Sequence, residues 1–559
     1  MLADPVCFCI LASHLGGGNP PVLKLLCLQS CHLGEQSVNP IELKLFSSRL
    51  QAICDEMGGV LRRSAFSPNI KDRLDFSCAL FAADGSLAAQ AAHIPVHLGS
   101  MAYTMTALVA SREWQEGEVL VINDPYLGGT HLPDVTLLAP VFDTGRSAAE
   151  KRLLGFVANR AHHANIGCET PGSMPLSQTI AEEGVLIPPT LLRRGVDEGG
   201  GFAPCGDVID ALLYAKPGVL SGDFAAQLGA NELAVARLRE LAQGYGYFPF
   251  RRALEELNRY AASLAQTAFA GIEAGTYTAI DYLDDDGFGS EQVQLAVTLD
   301  CSAEGLSFDF TASSDQVRGN LNCPEAVAAA AAYYCHCCLL AEGAPLCAGL
   351  FEGVRVKTRR GSIVNPQFPA AVAAGNVETA MRLVDLIFRA LATALPGRIP
   401  AASQGSMNNV AMGVAHPTEG WDYYETLAGG EGAGASAQGR DAVHTHMTNT
   451  LNTPIESLEY HYPLRLTRYA IRRDSGGAGK YRGGQGLQRE YEFLVPAALS
   501  LLTERRRFSP WGLNGGDDGA VGRNWLNGHK LPGKGTFSVK AGDRLLLETP
   551  GGGGWGAPL

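Results

Sequence analysis

The chain has no basic run long enough to follow a nucleic-acid backbone. Its 44 Lys and Arg are outweighed by 57 Asp and Glu, for a formal net charge of -13. The extended electropositive face that nucleic-acid binding needs is therefore missing. The one tight basic cluster, Arg505 to Arg507, is too short for such a tail and reads as a solvated face or an anion contact. Long apolar runs are missing too. The longest, Ala326 to Leu340, is interrupted by His336 and falls short of the ~20 residues that cross a bilayer, so it is expected to be a buried core helix. The N-terminus has no early Lys or Arg, and Asp4 precedes a short apolar stretch, which makes a poor secretory signal. The 14 Cys form no dense, regular framework. Cys335, Cys337 and Cys338 lie in apolar surroundings and are expected to be buried thiols. Together these absences point to a reducing, cytoplasmic setting with no membrane contact.

Nucleotide motifs are also lacking. Gly528-His529-Lys530-Leu531-Pro532-Gly533-Lys534-Gly535 is a near miss to a P-loop, but it lacks Ser or Thr after the Lys and holds Pro532 inside it. No serine elbow, kinase motif set or dinucleotide fingerprint is present. If ATP is used, another chain is expected to bind it.

What is present is a globular composition. With 559 residues, 46% apolar and 18% charged, about two to four structural units are expected. Ile41 to Arg62 has apolar residues three and four apart, the helical spacing. Helical patterns also cover His97 to Ala110, Ala225 to Gln243, Arg251 to Ala270 and Thr379 to Leu395. Strand patterns cover Leu74 to Leu87, turning at Asp84-Gly85, then Val119 to Ile122, Val135 to Phe142, Leu153 to Ala158 and Thr276 to Phe310. After about residue 455 the chain becomes strands and glycine. Much of the 66 Gly falls in the last third, in pairs such as Gly476-Gly477 and the run Gly551 to Gly554. These are expected as tight turns and places where backbone approaches backbone or ligand. The class is α+β, a multidomain mixed chain. The expected division is an extension over 1–38, an N-terminal α/β part over 39–270, a central α/β part over 271–454 and a β- and glycine-rich part over 455–559. The extension holds Cys7, Cys9, Cys27 and Cys31, whose spacing matches no common zinc knuckle, and it is expected to be poorly ordered.

The strongest chemical signal is Asn123-Asp124-Pro125-Tyr126-Leu127-Gly128-Gly129-Thr130-His131-Leu132-Pro133-Asp134. An apolar strand delivers Asp124 to a glycine turn, and the turn presents His131 and Asp134. Carboxylate and imidazole suit Mn²⁺, Fe²⁺ or Zn²⁺, and no thiolate is near. A second strand leads into Asn159-Arg160-Ala161-His162-His163-Ala164-Asn165, repeating a His-x-x-(Asp/Asn) layout. Two such strand ends converging on one ion would make a water-activating site. A His or Asp at a strand end also serves as a cap, and spacing alone leaves both readings open. His93 and His97 form a further pair, with Pro95 between them arguing against a helical arrangement.

These segments resemble the hydantoinase B / 5-oxoprolinase family from about Asn39 to Gly556. The matching stretches include Ser67 to Cys78, His93 to Met101, Asn123 to Asp134, Pro171 to Pro175, Gly375-Asn376-Val377-Glu378-Thr379, Gln404 to Asn409, His444 to Thr450 and Thr549 to Gly554. The resemblance implies the B-type subunit of an ATP-dependent cyclic-amide hydrolase. It implies a partner, an A-type ATPase subunit that phosphorylates the ring amide, and hence a hetero-oligomer. It also implies a divalent metal (Mn, Zn or Fe) held by Asp124, His131, Asp134 and His162, with His93, His97 and His163 as catalytic candidates. Related ketone carboxylases use a similar large subunit, which is the rival activity, and a non-catalytic scaffold for the ATPase is a second rival. One departure stands out. The family's His-His-Ala-Asp-Ile-Gly-Gly reads His162-His163-Ala164-Asn165-Ile166-Gly167-Cys168 here, and neutral Asn165 is a weaker ligand or none.

Overall fold

The computed structural model describes residues 39–91, 94–97, 99–143, 151–216, 218–414 and 420–558. The expectations for 1–38 and for His93 lie outside the described residues. The helix Pro40–Ser64 starts where Asn39 accepts the Ile41 amide and Pro40 takes the first helical position. Its Phe46, Leu50, Ile53, Met57 and Leu61 are buried, three or four apart as the sequence spacing predicts. They pack against the helix Gly222–Tyr245 and against a six-stranded sheet.

The order across that sheet is Leu87–Ala91, Phe76–Ala82, Leu153–His162, Asp134–Phe142, Val119–Ile122 and Thr190–Arg193. All its pairings are antiparallel. One face packs on the long helices. The other meets the helix Ser100–Val109 through Met101, Met105 and Leu108. The strand expected to stop at Ala158 runs on through Asn159, Arg160 and Ala161 to His162. Paired on both sides over that stretch, it has ladder partners for its backbone groups, and polar side chains do not end it.

A second core joins the strands Gly275–Asp285, Glu291–Ser302, Gly305–Asp309 and Val354–Lys357 to the helices Glu325–Cys337 and Ala380–Ala394. Cys335 is buried there, whereas Cys337 and Cys338 are half-buried, because the helix ends at them. A β-sandwich closes the chain. A four-stranded sheet built on Asn409–Val414 and Ala497–Leu502 shares one apolar core with a five-stranded sheet built on Gly486–Phe493 and Arg544–Glu548.

The paired glycines bring backbones together. Gly552 donates to the Gly484 carbonyl at 2.9 Å and accepts from the Gly477 amide at 2.9 Å, while Gly484 donates to the Glu431 carbonyl at 2.8 Å. The Gly476 and Gly477 amides are therefore spent on Gln485 Oε1 and the Gly552 carbonyl, not turned toward a phosphate. In the basic cluster Arg507 is partly exposed beside Glu291, as on a solvated face, but Arg505 is not solvated. It is fully buried, 2.7 Å from Asp385 and 3.2 Å from Asp281. Residues 529–531 and 534–539 are strands, which leaves no helix after the P-loop-like stretch. Among the described residues no helix is long and apolar enough to cross a membrane.

Candidate metal centre

The site grows from one end of the six-stranded sheet. Asp134 opens its strand and pairs in register with His162, which closes the neighbouring one. On the far side of His162 lies Asp75, whose carbonyl accepts the His162 amide at 3.0 Å. Residues directly opposite each other across antiparallel strands share a face. Asp75, His162 and Asp134 thus form one row. Two residues further in, Ser77, Arg160 and Thr136 form a second row on that face. His131 enters from the turn before Asp134, where the Asp134 amide donates back to the His131 carbonyl at 3.1 Å. Gly128 makes that turn possible. Its φ is 91°, and a Cβ there would strike the backbone of Tyr103 and Thr104.

Ligand atoms of His131, Asp134 and His162 all lie within 4.8 Å of one another, and all three residues are buried. Asp134 Oδ2 gathers Thr130 Oγ1 at 2.5 Å, His97 Nε2 at 3.2 Å and His131 Nε2 at 3.3 Å. Burial would raise the Asp134 carboxyl, but His131 and His97 beside it hold it well below the usual range. His97 is occupied at both nitrogens, since its Nδ1 lies 3.0 Å from Ser77 Oγ. It orients Asp134 and leaves no nitrogen for an ion.

The chemistry of the set fits a cation. His131 Nδ1 and His162 Nε2 are buried without a hydrogen-bond partner, and His131 Nε2 meets only the Asp134 carboxylate, as an ion-pair contact at 3.3 Å. Buried polar atoms are nearly always paired, and orphaned imidazole nitrogens beside a carboxylate are what a divalent ion satisfies. Burial, with the charge of His131 adding to it, keeps the His162 pKa well below its ordinary value, so its lone pair is free for an ion. His162 Nδ1 lies 3.2 Å from Asn69 Nδ2.

Other sequence-expected residues stand elsewhere. Asp124 is not among the clustered ligands. Half-buried, it caps the short helix Pro125–Leu127, its Oδ1 accepting the Tyr126 amide at 2.8 Å. His163 follows His162 and points to the opposite face. There it meets Gln227 Oε1 at 2.9 Å and stacks on Phe224 at 4.1 Å. Asn165 is exposed, donating to Asp422 Oδ2 at 3.1 Å, so it adds nothing to the cluster. Sequence reasoning missed Asp75. Its carboxylate pairs with the Arg73 guanidinium at 3.8 Å, and burial raises its pKa against the pull of Arg73, His97 and His131. The cue was Asp75 two residues before Ser77 on a strand, which places both on one face.

A second buried carboxyl belongs to the surroundings. Glu378 lies in the π-helical turn Gly375–Thr379, a geometry common at functional sites. Its Oε1 accepts the Met407 amide at 3.0 Å and Asn409 Nδ2 at 2.6 Å. Burial pushes its pKa up to about 7 from 4.5. Its contribution to stability is full below 4.5 and is lost as pH rises through about 7. Glu378→Gln, which keeps an acceptor at Oε1, is expected to flatten the pH dependence of stability in that window by about one proton. Denaturant unfolding at steps between pH 4.5 and 8 checks this, and an unchanged slope would rule it out.

Residues 39–558 match the family model for Hydantoinase B/oxoprolinase. The chain is 38% identical over 591 residues to 5-oxoprolinase 1 of Arabidopsis thaliana, an alignment covering 100% of this chain and 45% of that protein. It thus spans less than half the length of that relative. The B-type subunit of a putative D-/L-hydantoinase from a Pseudomonas species is 29% identical, with 95% of this chain and 92% of that one covered. The crystal structure of the ATP-dependent caprolactamase from Pseudomonas jessenii superposes with a TM-score of 0.82 at 26% identity, covering 93% of this chain and 92% of that chain.

Proposed function

The chain belongs to the hydantoinase B/oxoprolinase family, and from that premise we propose that it is the ring-opening half of an ATP-dependent cyclic-amide hydrolase. The observation that carries the reading is the buried His131–Asp134–His162 cluster with its orphaned ring nitrogens. An unstrained amide resists water because resonance stabilises it. Phosphorylation of its oxygen removes that resonance and supplies a leaving group. This chain has no nucleotide motif, so an A-type ATPase partner is assigned the phosphorylation. The Pseudomonas relative is named as one subunit of a hydantoinase, and the plant relative is more than twice as long as the stretch matched here. Both facts support a division of labour between two parts.

His131, Asp134 and His162 would hold a divalent cation, with Mn, Zn and Fe all compatible with the donors. Such an ion, when bound, lowers the pKa of water at the site and stabilises charge developing on the attacked carbonyl. His97 and Thr130 hold Asp134 in place through its Oδ2. Asp75 faces the same row as the cluster and is the carboxylate free to accept the proton of the attacking water. Asp75→Asn is expected to lower turnover by about 10²–10⁴-fold while leaving metal content unchanged. Loss of metal in that variant would instead make Asp75 a ligand.

Coexpression with an A-type subunit, followed by 5-oxoproline, hydantoins and lactams with ATP, tests the whole reading. Ring-opened product formed only with ATP and both chains is the expected result. Bicarbonate-dependent carbon–carbon bond formation on a ketone, without ring opening, would overturn it.

A further inference from the structure

The ring of His162 is held by residues that no simple packing role requires. Tyr424 lies flat on it, with ring centroids 4.9 Å apart and planes within 5°. Tyr424 is itself pinned at both ends. Its hydroxyl donates to Asn409 Oδ1 at 2.7 Å, and Asn409 is fixed in turn by Glu378 and by the Leu502 carbonyl. Its carbonyl accepts Arg73 Nη1 at 2.7 Å. The Arg73 guanidinium, fully buried, lies 4.9 Å from the Tyr424 ring centre. It also donates to Asn69 Oδ1 at 3.2 Å and to Thr426 Oγ1 at 3.2 Å. Asn69 is the residue that meets His162 Nδ1. One cation thus organises both groups that set the imidazole: Asn69 in the plane of the ring, Tyr424 against its face.

We infer that Arg73 and Tyr424 are positioning residues for His162, clamping its ring so that affinity for a divalent cation depends on the strand Trp421–Glu425 in the C-terminal sandwich. The inference rests on the metal reading above. Burying a guanidinium is costly unless it is paired and hydrogen-bonded, and here Nη1 is committed to the clamp, Nη2 to Thr426 and, at 3.8 Å, to the Asp75 carboxylate, while Nε has no hydrogen-bond partner. An apolar residue would fill the same space without that cost. An aromatic ring parallel to a ligand ring and tied at both ends suits orientation better than volume alone. Groups that fix a ligating histidine are typically worth about 10–100-fold in metal affinity.

The test is a cobalt(II) titration of the metal-stripped full chain, read by visible absorption. Tyr424→Leu and Arg73→Lys are expected to weaken binding about 10–100-fold and to shift the cobalt bands, because the ligand field follows the tilt of His162. Tyr424→Phe keeps the stacked ring and is expected to keep wild-type bands. Tyr424→Met, closer in volume, replaces the Leu variant if that one does not fold. Cobalt affinity and bands equal to wild type in folded Leu or Met and Lys variants, with only melting temperature lowered, would make the clamp purely structural and overturn the inference. Wild-type protein that binds no cobalt would instead remove the metal reading, and the clamp with it.

Discussion

Replacing His131 and Asp134 together with alanine is expected to leave a folded chain that carries no metal and supports no ring opening. Elemental analysis should find about one transition metal per wild-type chain and none in the double variant. The physical reason is the donor set. His131 contributes an imidazole with no other partner, and Asp134 contributes the only carboxylate among the three clustered ligands. With both gone, His162 alone cannot retain an ion. Turnover in the reconstituted complex should fall on the order of 10³-fold or more, since both the activated water and the stabilisation of the oxyanion depend on that charge. The cost to folding should be smaller. Losing Asp134 strands His97 and Thr130, which costs about 1–3 kcal/mol. That leaves the sheet and its cores in place. Full turnover in a complex that still assembles would favour the scaffold role, with all the chemistry on the partner.

The second large effect is expected away from the His131–Asp134–His162 cluster. Gly552→Ala should prevent folding or leave the chain insoluble. A Cβ on Gly552 would overlap the Glu431 carbonyl, well under the 3.0 Å that real Cβ atoms respect. Nothing there can rotate away, because the obstructing atoms are backbone. Gly552 also donates to Gly484 and accepts from Gly477, so moving its backbone breaks both of those bonds. The cost should exceed the ~1–3 kcal/mol of ordinary overpacking. Gly229→Ala is the matched contrast. Gly229 sits in the helix Gly222–Tyr245, and a Cβ there meets nothing within 4 Å. That change should stabilise the chain by about 0.5–1 kcal/mol. Soluble yield and thermal melting of the two variants give opposite signs if close backbone packing is the reason for the glycines. Equal behaviour would sink that explanation.

Much of the site was legible because it is local. His131 and Asp134 are three residues apart in one turn, and the apolar run before them marks the strand Val119–Ile122. The α+β class follows from periodicities that the helices Pro40–Ser64 and Tyr247–Ala270 and the strands Val119–Ile122 and Gly275–Asp285 match to within a few residues. Choosing between His162 and His163 needed the pairing of Asp134 with His162. Strand alternation then sends His162 to the face of the His131–Asp134 cluster and His163 to the helix face. Asp124 was indistinguishable from a ligand in sequence, because a carboxylate that caps a short helix and one that binds an ion occupy the same kind of turn.

The amino-acid sequence by itself determined the family, the mixed class, the absence of a nucleotide motif and the two strand ends that bear His131, Asp134 and His162. The family rests on motif matches along the whole chain, and the others depend on composition, period and spacing, which act over a few residues. Only the tertiary structure decided that Asp75 joins the row, that Arg73 and Tyr424 close on His162, and that the glycines serve backbone packing rather than phosphate. Each of those depends on which strands are neighbours and in what register. That is set by the burial of whole faces, not by any residue's own preference.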